Sequence, residues 1–229
     1  MNVTTHGEHL VKITRMGWVN AYLVREGDGF TIVDTMLPRS AKDILAASAQ
    51  QGGGAIRRIV LTHAHYDHVG SVDELANRLD GVEILISTRD ARFLRGDKSL
   101  DPAEQQGKAR GSFPKIKTQP TRTFEPGERI GSLEVIAAPG HTPGHVAFLD
   151  TRDQTLIAGD AYTTIGGVAT TAKPKWQFPL AATGTWHKPT AVQTARELRG
   201  LNPSRLAVGH GPVVENPVPA MDEAILRSS

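Results

Sequence analysis

The stretch from 62 to 70 reads T-H-A-H-Y-D-H-V-G and holds three histidines and one aspartate within six residues. The whole chain has 229 residues and only nine histidines, so this density is local. In an extended segment, residues two apart point to the same side, so His63 and His65 can reach one ion. The chain then turns into a predicted helix, which directs Asp67 and His68 toward a different point. The pattern H-x-H-x-D-H therefore suits two adjacent metal ions better than one.

Further candidate ligands stand beside glycines at three other places. The motifs are G-H-T-P-G-H at 140–145, G-D at 159–160 and G-H-G at 209–211. Each follows a short apolar run, and these runs predict strands at 133–137, 155–158 and 205–208. Glycine lets the backbone turn sharply and bring a neighbouring side chain inward. A single such histidine is usually a turn residue, and we interpret His6, His9 and His187 as structural or exposed. Together with the stretch at 62–70, these three motifs make four groups of candidate ligands in one chain, which indicates a metal site.

Strands and helices are predicted in both halves of the chain. The further strands are expected at 9–14, 19–25, 30–34, 56–61, 82–87 and 145–150. The helices are expected at 41–50, 71–79, 189–201 and 218–227. The sequence E-G-D-G at 26–29 predicts a hairpin. This order predicts one α/β layered domain over residues 1–229, built of two similar halves that divide near residue 125.

Local signals place the helix ends. Ser40 is predicted to cap the first helix, and the glycines at 52–54 are predicted to end it. Ser71 with Glu74 three residues later predicts a capping box at the start of the second helix. The segment 89–122 is a basic insert, with nine lysines and arginines against four acidic residues. It is interpreted as a solvated surface segment, and the alternative is a lid that attracts acidic ligands.

Composition excludes several classes of protein. The chain has no cysteine, so disulfides and thiolate metal sites are excluded, and any metal must be held by histidine and carboxylate. No window approaches the roughly 18 apolar residues of a membrane helix, and the N-terminal segment lacks the pattern of a secretory signal. We therefore expect a cytoplasmic protein with no membrane partner. A net charge of +2 makes a nucleic-acid partner unlikely by this criterion.

The combined motifs resemble those of the metallo-β-lactamase superfamily. The resemblance runs from N-A-Y-L at 20–23 to His210 and implies a four-layer αββα sandwich with the site at one edge of two sheets. It implies that His63, His65 and His141 hold one metal ion. It also implies that a second ion is held by another group of residues, with a shared aspartate between the two ions. The second group is Asp67, His68 and His210, and the shared residue is Asp160. Asp34 and His145 resemble residues that support the ligands from behind.

Departures from the family pattern narrow the choice among the branches of the superfamily. Members that hydrolyse antibiotics often use a cysteine ligand, and others lack the bridging aspartate. The full pattern is more similar to the glyoxalase II, lactonase and RNase Z branches. Only 19 residues follow His210, so we expect no counterpart of the C-terminal domain with which glyoxalase II binds glutathione.

The ligand types predict the chemistry. Histidine and carboxylate without sulfur suit Zn²⁺, and also Fe or Mn. Zinc is favoured because hydrolysis needs no redox metal. Two ions can share a water and lower its pKa, so that a metal-bound hydroxide attacks the substrate. Asp67 is expected to orient this nucleophile and accept its proton. Tyr162, two residues after Asp160, is a candidate for polarising the substrate carbonyl, and the alternative is a packed aromatic.

The segment 161–188 carries the candidate substrate-binding residues Trp176, Phe178 and Trp186. Apolar and aromatic walls are typical of a small-molecule pocket. The predicted function is therefore a dinuclear zinc hydrolase acting on an ester or lactone of a small molecule. The alternatives are a thioester or β-lactam hydrolase, and a metal-dependent phosphodiesterase or nuclease. The sequence predicts neither the oligomeric state nor which of these substrates is used.

Overall fold

The first half of the chain builds one sheet in which each strand lies beside its neighbour in sequence. The computed structural model describes residues 1–52 and 54–228. The sheet has seven strands: β1 (Asn2–His6), β2 (Leu10–Arg15), β3 (Val19–Glu26), β4 (Gly29–Val33), β5 (Ile56–Val60), β6 (Glu83–Ser87) and β7 (Arg122–Phe124). Strands β1 to β4 are antiparallel and β4 to β7 are parallel. Parallel neighbours need crossovers, which here contain the helices α1 (Ala41–Gln50), α2 (Tyr66–Val69), α3 (Val72–Ala76) and α4 (Ala91–Leu94).

In its described residues, the second half of the chain contains eight strands, and six of them form another sheet. The strands are β8 (Arg129–Ile130), β9 (Leu133–Ala137), β10 (Val146–Asp150), β11 (Thr155–Ile157), β12 (Tyr162–Thr163), β13 (Ala169–Thr170), β14 (Arg205–Ala207) and β15 (Val214–Glu215). Six form the second sheet, in the order β15-β14-β11-β10-β9-β8, while β12 pairs with β13. The helices are α5 (Leu180–Gly184), α6 (Lys188–Gly200) and α7 (Val218–Ser228). Within the described ranges, no helix is long and apolar enough to cross a bilayer.

Side-chain alternation along the strands separates three apolar cores. In β4, Ile32 packs in a core with residues of α1 and α3, whereas the next residue, Val33, packs against the second sheet. The same division separates Ile59 from Val60 in β5. A third core joins the outer face of the second sheet to α6 and α7. Because successive strand residues point to opposite faces, the result is four layers, and the predicted αββα sandwich is confirmed.

Most predicted elements are present with small shifts at their ends. Helix α1 has the predicted bounds, and the hairpin of β3 and β4 forms with Glu26 opposite Gly29. The predicted helix at 71–79 is shorter, since α3 spans Val72–Ala76. The short helix α2 was not predicted. The glycines expected to end α1 include Gly53, which lies outside the described residues, and α1 ends at Gln50. The chain passes between the sheets after Phe124, next to the division expected near residue 125.

The predicted side-chain caps are wrong. Ser40 and Ser71 precede α1 and α3, but neither hydroxyl accepts a hydrogen bond from its helix. The Ser71 hydroxyl instead donates to the Leu37 carbonyl at 2.7 Å and accepts the Ser40 backbone N–H at 2.8 Å. These bonds tie both helix starts to the loop after β4, which is a tertiary use of serine that competes with capping.

The basic insert is largely irregular and partly neutralises itself. Its one helix is α4. Arg89 pairs with Glu104 at 2.6 Å and Arg92 pairs with Asp101 at 2.5 Å. Asp73 of α3 accepts the backbone N–H groups of Lys117 and Thr118. The ion pairs are internal to the insert, and Asp73 of α3 attaches the insert to the first half of the fold.

Gly70 allows α2 to lie close to the loop after β4. Its N–H donates to the Met36 carbonyl at 2.9 Å. A Cβ atom on Gly70 would lie 2.5 Å from Pro38 Cδ and 2.7 Å from the Met36 oxygen. No side chain fits here without moving the backbone, and this contact holds the histidine-rich segment against the first sheet.

We predict that Gly70→Ala lowers the free energy of unfolding by about 1–3 kcal/mol, because a methyl group in a filled site forces the backbone apart. Gly200→Ala is the matched control, since a Cβ there meets nothing within 4 Å. At this helical position alanine is expected to stabilise by up to about 1 kcal/mol. Urea unfolding measures both. Equal effects of the two changes would contradict the close approach at Gly70.

Candidate metal centre

Seven predicted ligands converge at one edge of the two sheets. His63, His65 and His141 place one ligand atom each within 4.8 Å of one another. The same is true of Asp67, His68 and His210. In each triad two members come from the segment after β5, and the third comes from a distant loop: His141 follows β9 and His210 follows β14. The two triads are the two groups that the family resemblance implies.

Asp160 lies between the triads. Its Oδ2 atom is 3.4 Å from His141 Nε2 and 3.2 Å from His210 Nε2, while its Oδ1 atom is 3.4 Å from His68 Nε2. The aspartate is 3% exposed and follows β11 in a 3-10 turn. One carboxylate thus faces both triads, which is the arrangement needed to link two ions.

Each of the five histidines has one ring nitrogen held by a protein oxygen, and the other nitrogen faces the cluster. The holding atoms are Thr62 Oγ1 for His63, the Arg110 carbonyl for His65, Asp34 Oδ2 for His68, Thr185 Oγ1 for His141 and the Trp18 carbonyl for His210. The contacts range from 2.7 to 3.2 Å. Partners of this kind fix the tautomer and the ring orientation of metal-binding histidines.

Buried atoms without partners test whether the residues fit a metal. In the part of the chain that the structure describes, His63 Nε2, His68 Nε2 and Asp160 Oδ1 are buried and make no hydrogen bond. The 3.4 Å contact between the last two is too long to serve as one. Burying such atoms unpaired costs roughly 1–3 kcal/mol each. All three point into the cluster, so the donor set fits a cation.

The first triad adds a second argument for a cation. His65 Nε2 faces a carbonyl oxygen and must donate to it, which leaves a lone pair on His65 Nδ1. The single hydroxyl proton of Thr185 faces two backbone carbonyls and is donated to them, so the Thr185 oxygen accepts from His141 Nδ1 and the lone pair of His141 lies on Nε2. These two inward nitrogens are 2.9 Å apart. A positive ion between them relieves their repulsion.

The pKa shifts separate the triads. Burial lowers the pKa of His65 to about 4 and holds that of His63 well below its usual range. Burial also lowers the pKa of His210, but the carboxylates of Asp160 and Asp67 outweigh it and raise the pKa to about 9. The first triad is therefore neutral at pH 7, the form in which histidine binds metals. In the second triad, positive charge on His210 and His68 balances the partly exposed carboxylate of Asp67 and the buried carboxylate of Asp160.

Asp34 and His145 lie behind the ligands, as the resemblance implies. Asp34 accepts from the Thr62 backbone N–H at 2.8 Å and contacts His68 Nδ1 at 2.7 Å. Its φ of 60° is in the left-handed region, which aspartate tolerates better than most residues. His145 Nε2 accepts the Asp160 backbone N–H at 3.0 Å. The two residues orient one ligand from each side of the cluster.

The N-A-Y motif of β3 holds the loop that carries His210. The Asn20 side-chain amide donates to the carbonyls of Val208 and Gly211 at 2.9 and 2.7 Å. The Tyr22 hydroxyl donates to the Val208 carbonyl and accepts its N–H. The first sheet therefore fixes a ligand loop of the second sheet across their shared core.

Asp90 is a site residue that sequence reasoning missed. Its carboxylate accepts the N–H of Ala64 at 3.0 Å, the Thr142 hydroxyl at 2.8 Å and the N–H of Gly144 at 2.9 Å. These donors flank His63, His65 and His141. Burial raises the pKa of Asp90 to about 6, although the donated hydrogen bonds lower it. One side chain thus joins the two loops of the first triad.

The structure corrects the predicted role of Tyr162. Its side chain is fully buried in the core beneath α6, and its hydroxyl donates to the Ala195 carbonyl at 2.6 Å. Burial also raises its pKa, so the hydroxyl stays protonated. Tyr162 is the packed aromatic of the alternative interpretation, because β12 directs it toward α6 and away from Asp160.

The predicted aromatic wall is also corrected. Trp176 is 94% exposed at a turn between Lys175 and Phe178, and it is not among the described residues that line the cavity at the cluster. Trp186 is half-buried beside His187. Phe178 does reach the site, because its ring centroid lies 4.8 Å from that of His210, and both rings also contact Trp18. It supports a ligand and does not line the cavity.

The cavity at the cluster is small and has a mixed lining. Its volume is about 280 Å³. One wall is formed by α5 through Leu180, Ala181, Thr183 and Gly184, and Gly111 and Ser112 form another. The floor consists of ligands: His65, Asp67, His141, Asp160 and His210. No lysine or arginine belongs to this lining in the described part of the chain.

We predict that Asp90→Ala weakens metal binding and lowers the free energy of unfolding by about 2–5 kcal/mol, because three buried donors lose their acceptor. Asp90→Asn keeps one oxygen, so its losses should be smaller. Chelator competition and urea unfolding measure the two effects. The control is Asp153→Ala, which removes an aspartate that accepts the Thr155 N–H far from the cluster. Unchanged metal affinity in Asp90→Ala would contradict the role assigned to Asp90.

We also predict that Tyr162→Phe leaves the hydrolytic rate unchanged and lowers the free energy of unfolding by about 1 kcal/mol, since one buried hydrogen bond is lost. Steady-state kinetics on any substrate of the parent protein, together with thermal unfolding, test this. A large fall in kcat with unchanged stability would support a catalytic role for Tyr162.

Comparison with known proteins agrees with this geometry. The chain is 46% identical to the uncharacterized protein YobT of Bacillus subtilis over 92% of this chain and 90% of that protein. It is 28% identical to the probable metallo-hydrolase YflN of the same organism, over 84% and 80%. Hydroxyacylglutathione hydrolases, such as that of Rhodospirillum rubrum, are also similar, which confirms the expected glyoxalase II-type relatives.

A solved structure shows the same fold. The protein TTHA1623, crystallised in a di-iron-bound form, superimposes with a TM-score of 0.66 over 93% of this chain and 97% of that chain, at 29% identity. The sequence pattern of the family described as the metallo-beta-lactamase superfamily matches residues 17–210, which contain every ligand of both triads. The chain belongs to the metallo-beta-lactamase superfamily.

Proposed function

We propose that this protein is a dinuclear metallo-hydrolase that acts on an uncharged ester or lactone of a small molecule. The observation that carries the proposal is the set of buried, unpartnered ligand atoms on both sides of Asp160: His63 Nε2, His68 Nε2 and Asp160 Oδ1. Without a metal, this arrangement destabilises the fold. With a metal, each of these atoms gains a partner.

In this proposal, His63, His65 and His141 hold one ion, and Asp67, His68 and His210 hold the other. Asp160 joins the two. Nitrogen and oxygen donors without sulfur suit Zn²⁺, which hydrolysis favours because no redox step is needed. Iron is the alternative, because TTHA1623 was crystallised with two iron ions. Metal ions bound here supply Lewis acidity, which polarises a carbonyl and lowers the pKa of water from about 15.7 toward 7.

The residues of the chain supply the rest of the chemistry. Burial raises the pKa of Asp67, but the imidazoles of His210 and His68 outweigh it and keep the carboxyl ionised. Asp67 lines the cavity and is partly exposed there, so its carboxylate can orient the attacking water and accept its proton. Asp160 is held by His145 from behind and stays fixed. Leu180 and Ala181 supply an apolar wall that holds the substrate's acyl part.

The lining favours an uncharged substrate. A β-lactam carries a carboxylate beside its reacting amide, and a buried carboxylate away from the metal ions needs a cationic partner. The described lining offers no lysine or arginine for this purpose. The basic insert contributes Gly111 and Ser112 to the cavity, which are uncharged. An ester or lactone therefore fits best, and a thioester with an uncharged acyl part is the next candidate.

We predict that protein reconstituted with zinc binds about two ions per chain, as expected for two adjacent ligand groups. His63→Ala should lower metal affinity and hydrolysis by more than about 100-fold, because loss of an outer partner alone costs 10–100-fold. His6→Ala is the matched control, since His6 bonds to Thr4 away from the cluster. Elemental analysis measures stoichiometry. A plateau at one ion, or equal losses in both variants, would contradict the dinuclear centre.

We predict that the loaded enzyme hydrolyses aryl esters and lactones, and that chelation abolishes this activity. A matched pair tests the charge argument: p-nitrophenyl butyrate and the same ester with a terminal carboxylate. The neutral ester should have a kcat/KM at least about tenfold higher, because the carboxylate is buried unpaired. Thioesters, β-lactams and bis-p-nitrophenyl phosphate complete the panel. Preference for a charged substrate would contradict the proposal.

A further inference from the structure

We infer that the segment Lys108–Phe113 of the basic insert, called the strap below, is a positioning part of the metal centre. The strap's role depends on the metal site proposed above, and it adds to that site a backbone contact that no sequence motif predicts. The Arg110 backbone carbonyl lies 2.9 Å from His65 Nε2. It is the only one of the five histidine partners that comes from the insert.

The chemistry of this contact decides which nitrogen of His65 binds the metal. A carbonyl oxygen accepts and cannot donate, so the proton of neutral His65 stays on Nε2. The lone pair is then on Nδ1, which faces His141 Nε2 at 2.9 Å. If the strap moves away, the proton can reside on either nitrogen and the ring can turn. The strap therefore selects the tautomer of one ligand of the first triad.

Gly111 is required for the strap to reach His65. Its φ is +90°, a conformation that side chains rarely adopt, and a Cβ atom would lie 2.2 Å from His65 Nε2. Any other residue at this position pushes the strap away from the imidazole and breaks the Arg110 contact. Gly111 and Ser112 also line the cavity, so the same segment closes one side of the substrate site.

The strap is attached on both sides of Gly111. Before it, Ala109 is buried at 9% exposure and packs in the first core. After it, the Ser112 carbonyl accepts the Tyr66 N–H at 2.8 Å. The Phe113 ring lies 4.7 Å from the His65 ring and 4.3 Å from the Phe93 ring. These contacts join the strap to the loop of His65 and to the core, so it is held in place before a metal binds.

The principal test is Gly111→Ala. Gly127→Ala is the matched control, because Gly127 has a φ of +92° and a Cβ there meets nothing within 4 Å. Both changes carry similar backbone strain, but only one touches His65. Chelator competition on zinc-loaded protein should show one of two sites weakened about 10–100-fold in Gly111→Ala, the usual effect of losing an outer partner. Gly127→Ala should keep both affinities.

Long-range ¹H–¹⁵N correlations of the imidazoles provide a readout independent of activity. In metal-free parent protein, His65 should be the Nε2–H tautomer, and Gly111→Ala should give a mixture or the Nδ1–H form. The other four histidines should keep their signals. Retention of the Nε2–H tautomer with parent metal affinity would overturn the inference. Equal losses in Gly111→Ala and Gly127→Ala would also overturn it, because strain alone would then explain them.

A second pair covers the case in which Gly111→Ala does not fold. Phe113→Ala removes the ring between His65 and Phe93, whereas Phe113→Leu keeps an apolar anchor. The alanine variant should lose metal affinity at one site and the leucine variant should recover most of it. No change in Phe113→Ala would overturn the inference. If the parent protein itself binds no metal, the proposed function fails first, and that result is distinct from a strap that has no effect.

Discussion

The structure depends on one electrostatic constraint: five imidazoles and the carboxylate of Asp160 are buried together beside the partly exposed Asp67, and three of the inward atoms have no hydrogen-bond partner. Burying a polar atom without a hydrogen bond costs about 1–3 kcal/mol. Three ligand atoms stand in this condition around Asp160. The outward nitrogens, in contrast, are each held by a protein oxygen. The chain thus fixes the orientation of every histidine and leaves the final compensation to a cation.

The two sheets make this convergence possible. The loops after β4 and β5 carry Asp34 and the histidine-rich segment, while those after β9, β11 and β14 carry His141, Asp160 and His210. The central core presses the sheets face to face, so that their loops meet at one edge. Cross-sheet bonds such as Asn20 to Val208 then set the relative position of the ligands. The packing of ordinary apolar strands therefore determines the geometry of a polar site.

Sequence alone indicated much of this arrangement, for identifiable reasons. Strands and helices with clear periodicity were located to within a few residues. The ligands stood at strand ends beside glycines, and the resemblance assigned them to two triads that the structure brings together. The short helix α2 was not predicted because two of its four residues are ligands and a single turn shows no helical period. The predicted serine caps are absent because both hydroxyls bond elsewhere: that of Ser71 to the Leu37 carbonyl, and that of Ser40 to Arg15 and the Leu37 carbonyl.

The supporting residues could not be found in this way. The Arg110 contact is made by a backbone carbonyl. Every residue type has one, so the sequence does not show which carbonyl will contact His65. Asp90 stands in a stretch of mixed charge, where an aspartate reads as a surface residue until the fold buries it. Tyr162 was placed near Asp160 by sequence distance alone, but the turn after β11 sends the two side chains to opposite sides. Closeness along the chain does not determine the direction in which a side chain points.

The basic insert shows how charge can mislead about function. Its excess of lysine and arginine left open a lid that attracts acidic ligands as the alternative to a solvated segment, yet Arg89 and Arg92 are engaged by acidic residues of the same segment. What the insert presents to the cavity is backbone and small side chains, Gly111 and Ser112. Its contribution to the site is therefore geometric: it closes a wall and orients His65. Apart from the ligands, the cavity is lined by uncharged residues, so the part of a substrate that lies away from the metal ions is selected by shape, as the proposed ester or lactone requires.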